Sequence, residues 1–119
     1  MNLEKLFEMA DEYIGFSCKP KSPKYKVGHI FDEDKSVKWN KEQFEKLNKK
    51  HDDEVKDLNR QKNLLYTSLV EAIKEYIISE TKVSKKRAEK IYDYLYEEYH
   101  AYGLMESLRH LDRLLDLFR

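Results

Sequence analysis

From Asn40 to Ser79 the chain runs for forty residues without Gly or Pro, the two residues that most readily interrupt a helix. Within this run Glu42 precedes Lys46, Glu45 precedes Lys49 and Asp52 precedes Lys56, each an acid four residues before a base, the order that supports an exposed helix. Asn40 stands where a helix cap belongs, and Gln43 follows at the spacing of a capping box. These signals predict one helix over residues 40–79. At the α-helical rise it would extend roughly 58 Å, so part of it should project from a compact domain or find another chain.

The two halves of this helix differ. Up to Asn63 its apolar residues are Phe44, Leu47, Val55 and Leu58, a narrow seam of the coiled-coil kind interrupted by His51. From Leu64 the stripe widens through Leu65, Leu69, Val70, Ala72, Ile73, Tyr76, Ile77 and Ile78, which reads as a core-facing surface. The C-terminal half therefore carries the core. The N-terminal half is either a solvated arm or one strand of a self-association seam, which would make the chain a homodimer.

On either side the periodicity changes. Leu3, Leu6, Phe7, Ala10, Tyr13 and Ile14 mark one face of a short helix over residues 1–14. Residues 15–38 collect Gly15, Pro20, Pro23 and Gly28 and read as a loop, long enough to be functional, disordered or laid across a partner. Ser84 caps a helix over 84–102, with Val83 and Ala88 placed as a hydrophobic staple. Its face of Ala88, Tyr92, Leu95, Tyr99 and Tyr102 is roughly opposite that of Leu104, Leu108, Leu111, Leu115 and Phe118, so the apolar side changes at Gly103. Either Gly103 breaks or bends the helix and both stripes reach one core, or a continuous helix over 84–118 buries its two faces in different places. The expected fold is all-α: a single domain over residues 1–119, a small bundle of three to five helices containing one long one.

Composition narrows the function classes. Lys and Arg number 23 against 23 Asp and Glu, so no net field draws the chain to nucleic acid or an anionic surface, and attraction must come from local patches. Cys18 is the single cysteine, which suits a reducing cytoplasm. The first residues lack the basic and apolar segments of a secretory signal, and no apolar run approaches the length that crosses a bilayer. A cytoplasmic protein without membrane contact is expected.

Few residues group in a way that carries chemistry. No glycine-flanked serine, metal cage or phosphate loop is present, so no enzyme and no cofactor are expected. Glu97 and His100 have the E-x-x-H spacing of carboxylate-bridged metal bundles, with His110 a further candidate ligand. The second such pair that a di-metal bundle needs is missing. Five tyrosines at 92, 94, 96, 99 and 102 cannot share one face. Tyr92, Tyr99 and Tyr102 follow the core stripe, which leaves Tyr94 and Tyr96 as contact residues, a role tyrosine fills by offering large area with few torsions. Trp39, Phe44 and Leu47 complete the protein-binding candidates, with Trp39 alternatively an anchor for its own helix. Lys19, Lys21, Lys24 and Lys26 in the loop, and Lys82, Lys85, Lys86 and Arg87 before and within a first helical turn, are the candidates for phosphate contact. The latter group has a structural alternative, answering the carbonyls that end the preceding helix together with Glu80.

Three readings follow. The chain is a non-catalytic module that binds another protein, a nucleic-acid-associated protein using the two lysine clusters, or a carboxylate and histidine metal-binding bundle. In size, in its excess of Lys, Glu and Tyr and in its lack of catalytic residues, it resembles the small accessory proteins of phages and mobile elements of low-GC bacteria. That resemblance is compositional and implies a regulator or inhibitor of a larger host protein, such as one in host defence.

Overall fold

In a computed structural model that describes residues 2–119, the side chains of Val27 and His29 excepted, the chain is all-α. The helices are α1 (Leu3–Gly15), a single turn α2 (Val27–Ile30), the long α3 (Val37–Thr81), α4 (Lys85–Tyr99) and α5 (Leu104–Asp116), with a 3-10 turn at His100–Tyr102. The residues divide into two compact units, one built from Met1–Phe16 and Asn63–Arg119, the other from Ser17–Lys62.

The first unit is held by an apolar core. Leu6 and Ala10 of α1, Leu69, Ala72, Ile73, Tyr76 and Ile77 of α3, Ala88, Ile91 and Leu95 of α4, and Leu108, Leu111 and Leu115 of α5 form one buried cluster. The wide stripe of α3 thus faces the core as its spacing predicts, although Leu64 and, on α1, Ile14 lie exposed at its edges. Asn2 caps α1 by accepting the Lys5 N–H at 2.9 Å. Ser84 caps α4 by accepting the Arg87 N–H at 3.2 Å, and Val83 packs against the core. One polar pair is built into this core: the Tyr76 hydroxyl donates to Asp112 at 2.7 Å, and Arg119 reaches Asp112, Asp116 and Glu80. Burial, with Asp112 beside it, raises the Tyr76 phenol to about 12.

Gly103 breaks the C-terminal helix. Its φ of 97° and ψ of 162° lie outside what an L side chain readily adopts, and its N–H donates to the His100 carbonyl at 3.1 Å. The break turns α5 so that its leucines reach the same core as Leu95. Tyr102 belongs to the 3-10 turn at this break and is 72% exposed, so it is not part of the core stripe.

The second unit is organised by hydrogen bonds. Residues 17–36, expected to be loop, are irregular apart from α2 and a turn in which the Lys35 N–H donates to the Asp32 carbonyl at 3.2 Å, and they form a strap fixed to the first half of α3 by its polar side chains. Cys18 Sγ donates to the Leu58 carbonyl at 3.9 Å. The Glu54 carboxylate accepts the backbone N–H of Lys21 at 2.7 Å and that of Ser22 at 3.3 Å, and the Ser22 hydroxyl as well. His51 Nδ1 bonds to the Ser22 carbonyl at 2.9 Å. The Asn48 amide clamps Tyr25, accepting its N–H at 2.7 Å and donating to its carbonyl at 3.1 Å. Asn40 does the same for Asp32, at 2.7 and 2.9 Å. As the strap advances from Cys18 to Asp32 its partners retreat from Leu58 to Asn40, so it runs antiparallel to the helix.

This arrangement corrects the helix start. Ser36, not Asn40, caps α3: its hydroxyl accepts the Trp39 N–H at 3.1 Å and its carbonyl the Asn40 N–H at 3.1 Å. Asn40 lies one turn inside, buried, where its amide serves the strap. The covered face of this half follows the expected seam except at Leu47, and it adds the buried Asn48. Phe44, His51, Val55 and Leu58 are half-buried on it and Asn48 is buried, while Leu47 is exposed. Among the described residues the four-residue acid–base pairs are not closed here; an ion pair in this half of α3 joins Arg60 to Asp57 at three-residue spacing.

Candidate interaction surfaces

Tyr94 and Tyr96 lie about 200° apart on α4, so they must point to opposite flanks. Both are half exposed, and each opens on a different concavity of the first unit.

Tyr94 lines a groove of about 290 Å³ between α4 and α5 whose other walls are Ile91, Leu114 and Phe118, with Arg87 and Lys90 along its edge. The Arg87 guanidinium stands 5.5 Å from the centre of the Phe118 ring, a cation on an aromatic face. Lys86, Arg87, Lys90 and Ser84 line an adjoining shallow depression, so the basic edge continues beyond the groove. No acidic side chain lines either hollow. The expected link between Glu80 and this basic cluster is absent, because Glu80 pairs with Arg119 at 3.1 Å and Arg87 turns to Phe118. Lys82, Lys85 and Lys86 are exposed and have no ion-pair partner among the described residues. Lys82 has a φ of 59°, the left-handed turn that ends α3, where its N–H donates to the Ile78 carbonyl at 2.9 Å.

Tyr96 lines a cavity of about 200 Å³ on the other flank, with Tyr13, Tyr66, Tyr92, His100, Ile73, Leu95, Leu104 and Ser107. Its ring stacks on His100 at 4.7 Å between centres and 13° between planes. Tyr13 and Tyr66 meet at 5.3 Å and 49°. Tyr13 and Tyr66 carried no signal as site residues in the sequence; they join the tyrosine cluster only because α1 and α3 pack against α4.

In the second unit Phe31, Val37, Asn40, Lys41 and Phe44 line an apolar depression at the start of α3. Trp39 is 36% exposed with Lys35 Nζ 5.6 Å from its ring centre. Of the protein-binding candidates, then, Phe44 joins this depression, whereas Trp39 and Leu47 do not line it. Lys19, Lys21, Lys24 and Lys26 are exposed along the strap. The Lys21 backbone, rather than its side chain, makes the contact with α3.

Glu97, His100 and His110 do not converge. His100 Nδ1 bonds to the Tyr96 carbonyl at 2.6 Å, whereas His110 stacks on Tyr99 at 4.3 Å and faces Glu106 at 3.7 Å. Among the described residues no group of three or more His, Cys, Asp and Glu side chains is placed to hold a metal ion, and no helix is long and apolar enough to cross a membrane. Comparison with protein families, with curated proteins and with solved structures returns no match for this chain.

Proposed function

We propose that this chain is a non-catalytic protein-binding module, a small regulator or inhibitor that works by covering part of a larger host protein. The groove between α4 and α5 carries this reading. Its apolar floor of Ile91, Leu114 and Phe118, its half-exposed Tyr94 and its Arg87 and Lys90 edge combine an aromatic anchor, an apolar centre and a charged rim, the features on which protein interfaces concentrate their binding free energy. Leu117, 78% exposed on the same terminal segment, adds apolar area that folding of this unit leaves uncovered. The basic edge selects a partner segment with apolar residues on one face and acidic residues at its margin. The compositional likeness to accessory proteins of phages and mobile elements supports the host-directed form of this proposal. The unpaired Cys18 suits a complex in the cytoplasm.

The test is capture of partners from the native host by wild type and by Tyr94→Ala in parallel. A specific partner should be retained by the wild type and weakened at least about tenfold by the substitution, with helix content unchanged, since Tyr94 lies outside the core. Tyr102→Ala, exposed but away from the groove, should leave capture intact. Equal capture by Tyr94→Ala would remove the groove from the interface. Sedimentation of the purified chain reads self-association in the same material. A nucleic-acid ligand would reveal itself by affinity that survives Tyr94→Ala and falls steeply with added salt.

A further inference from the structure

We infer that the tyrosine-walled cavity of the first unit is a binding site for a trimethylammonium group, carried either by a small choline-like molecule or by a trimethylated lysine. It lies on the flank of α4 away from the groove of the proposed function and stands independently of that proposal.

Tyr13, Tyr66, Tyr92 and Tyr96 contribute four aromatic rings around about 200 Å³, and among the described residues no Asp, Glu, Lys or Arg lines the space. A volume of that order accepts one compact head group. Aromatic faces attract cations through their quadrupole, most strongly where water is excluded, and several rings around one pocket are the known means of holding quaternary ammonium. Lys74 Nζ, 3.8 Å from Glu71, sits 5.6 Å from the centre of Tyr92, so a ligand would share that ring with a resident cation.

The polar groups decide which cation. Ser107 Oγ donates to the Gly103 carbonyl at 3.2 Å, and His100 Nδ1 is engaged with the Tyr96 carbonyl. An ordinary ammonium would surrender its water hydrogen bonds and find no carboxylate to replace them. A trimethylammonium has no N–H to satisfy and presents only methyl groups to the rings.

The test is a titration of the folded full chain, followed by calorimetry and by the ring resonances of the tyrosines. The ligands are choline, a trimethyllysine peptide, and neohexanol, the neutral isostere of choline with carbon in place of nitrogen. Saturable binding of choline or the peptide, at least about tenfold tighter than the alcohol, is expected from cation–aromatic attraction. The stronger of the two identifies the source of the group. Tyr96→Leu keeps apolar bulk at a half-exposed position and removes the ring face, so it should weaken the cation about fivefold or more while leaving the alcohol unchanged. Tyr94→Ala should alter neither. Equal affinity for choline and neohexanol would overturn recognition of charge, and failure of both cationic ligands to saturate would overturn the site itself.

Discussion

The two stretches of α3 belong to one helix but hold their neighbours by different physics. From Leu69 to Ile77 its inward residues are apolar and buried in the shared cluster with α1, α4 and α5. From Asn40 to Leu58 the inward face sets half-buried Phe44, Val55 and Leu58 among Asn40, Asn48, His51 and Glu54, and these four polar side chains bond to the backbone of the strap. The first mode gains from area removed from water and depends little on direction. The second supplies partners for backbone groups that a strap without a sheet neighbour would otherwise turn to solvent, and it fixes register. Burial of this kind should dominate stability, and the hydrogen-bonded strap should set local order.

Leu111→Ala probes the stronger term. Leu111 is fully buried, and truncation of such a residue costs about 2–5 kcal/mol through lost transfer free energy and the cavity left behind. Denaturant unfolding should show a loss in that range, and Leu69→Ala, at an equally buried site, should match it. A loss below that range at both sites would mean that the apolar cluster is not what holds the first unit.

Asn48→Ala is the corresponding probe of the strap. Asn48 is buried and gives Tyr25 both a donor and an acceptor, so removing the amide strands two backbone groups at a cost of about 1–3 kcal/mol. The expected effect is local: faster amide exchange at Tyr25, with exchange in the core of the first unit unchanged. Asn48→Asp keeps the acceptor, loses the donor and sets a carboxylate against the Tyr25 carbonyl, so it should loosen the strap at least as much. Should Asn48→Ala instead lower global stability as far as Leu111→Ala does, the contrast between the two modes fails.

This division also explains what the sequence revealed. Helix-period apolar spacing in 64–78, 84–99 and 104–115 reports burial directly, so the core stripes are legible, and the incompatibility of their faces at Gly103 correctly points to a break as one of two solutions. The strap left no comparable signal, because hydrogen bonds between a side chain and a distant backbone obey no short-range period. Asn40, Asn48 and His51 do fall on one face at spacings of eight and three, yet their residue types match a solvated surface equally well. Asn40 shows the cost of local reasoning: a residue well suited to capping a helix was used one turn inside it, and Ser36 took the cap. In the candidate site, Tyr94 and Tyr96 stood out as off-stripe tyrosines, but the cavity around Tyr96 required Tyr13 and Tyr66, which only tertiary packing brings near.

The pH scale gives the last and smallest separation, because the two units carry their perturbed groups at opposite ends of it. Tyr76 lies above its ordinary phenol value, so its contribution to the first unit is complete below about 10 and is lost as pH rises through about 12. Glu54 lies below the ordinary carboxylate value, chiefly through the Ser22 hydroxyl and then the Lys21 N–H. Its contribution to the strap is therefore present above the normal carboxylate range and is lost as pH falls through the lowered value. Amide protection at Lys21 and Ser22, corrected for intrinsic exchange, should decline in acid while protection in the core persists; alkali should reverse that order. Glu54→Gln should flatten the acid decline and Tyr76→Phe should weaken the alkaline one. Protection at Ser22 that stays level into strong acid would show that the strap is held by Asn48 and Asn40 alone, with Glu54 no more than a solvated carboxylate beside it.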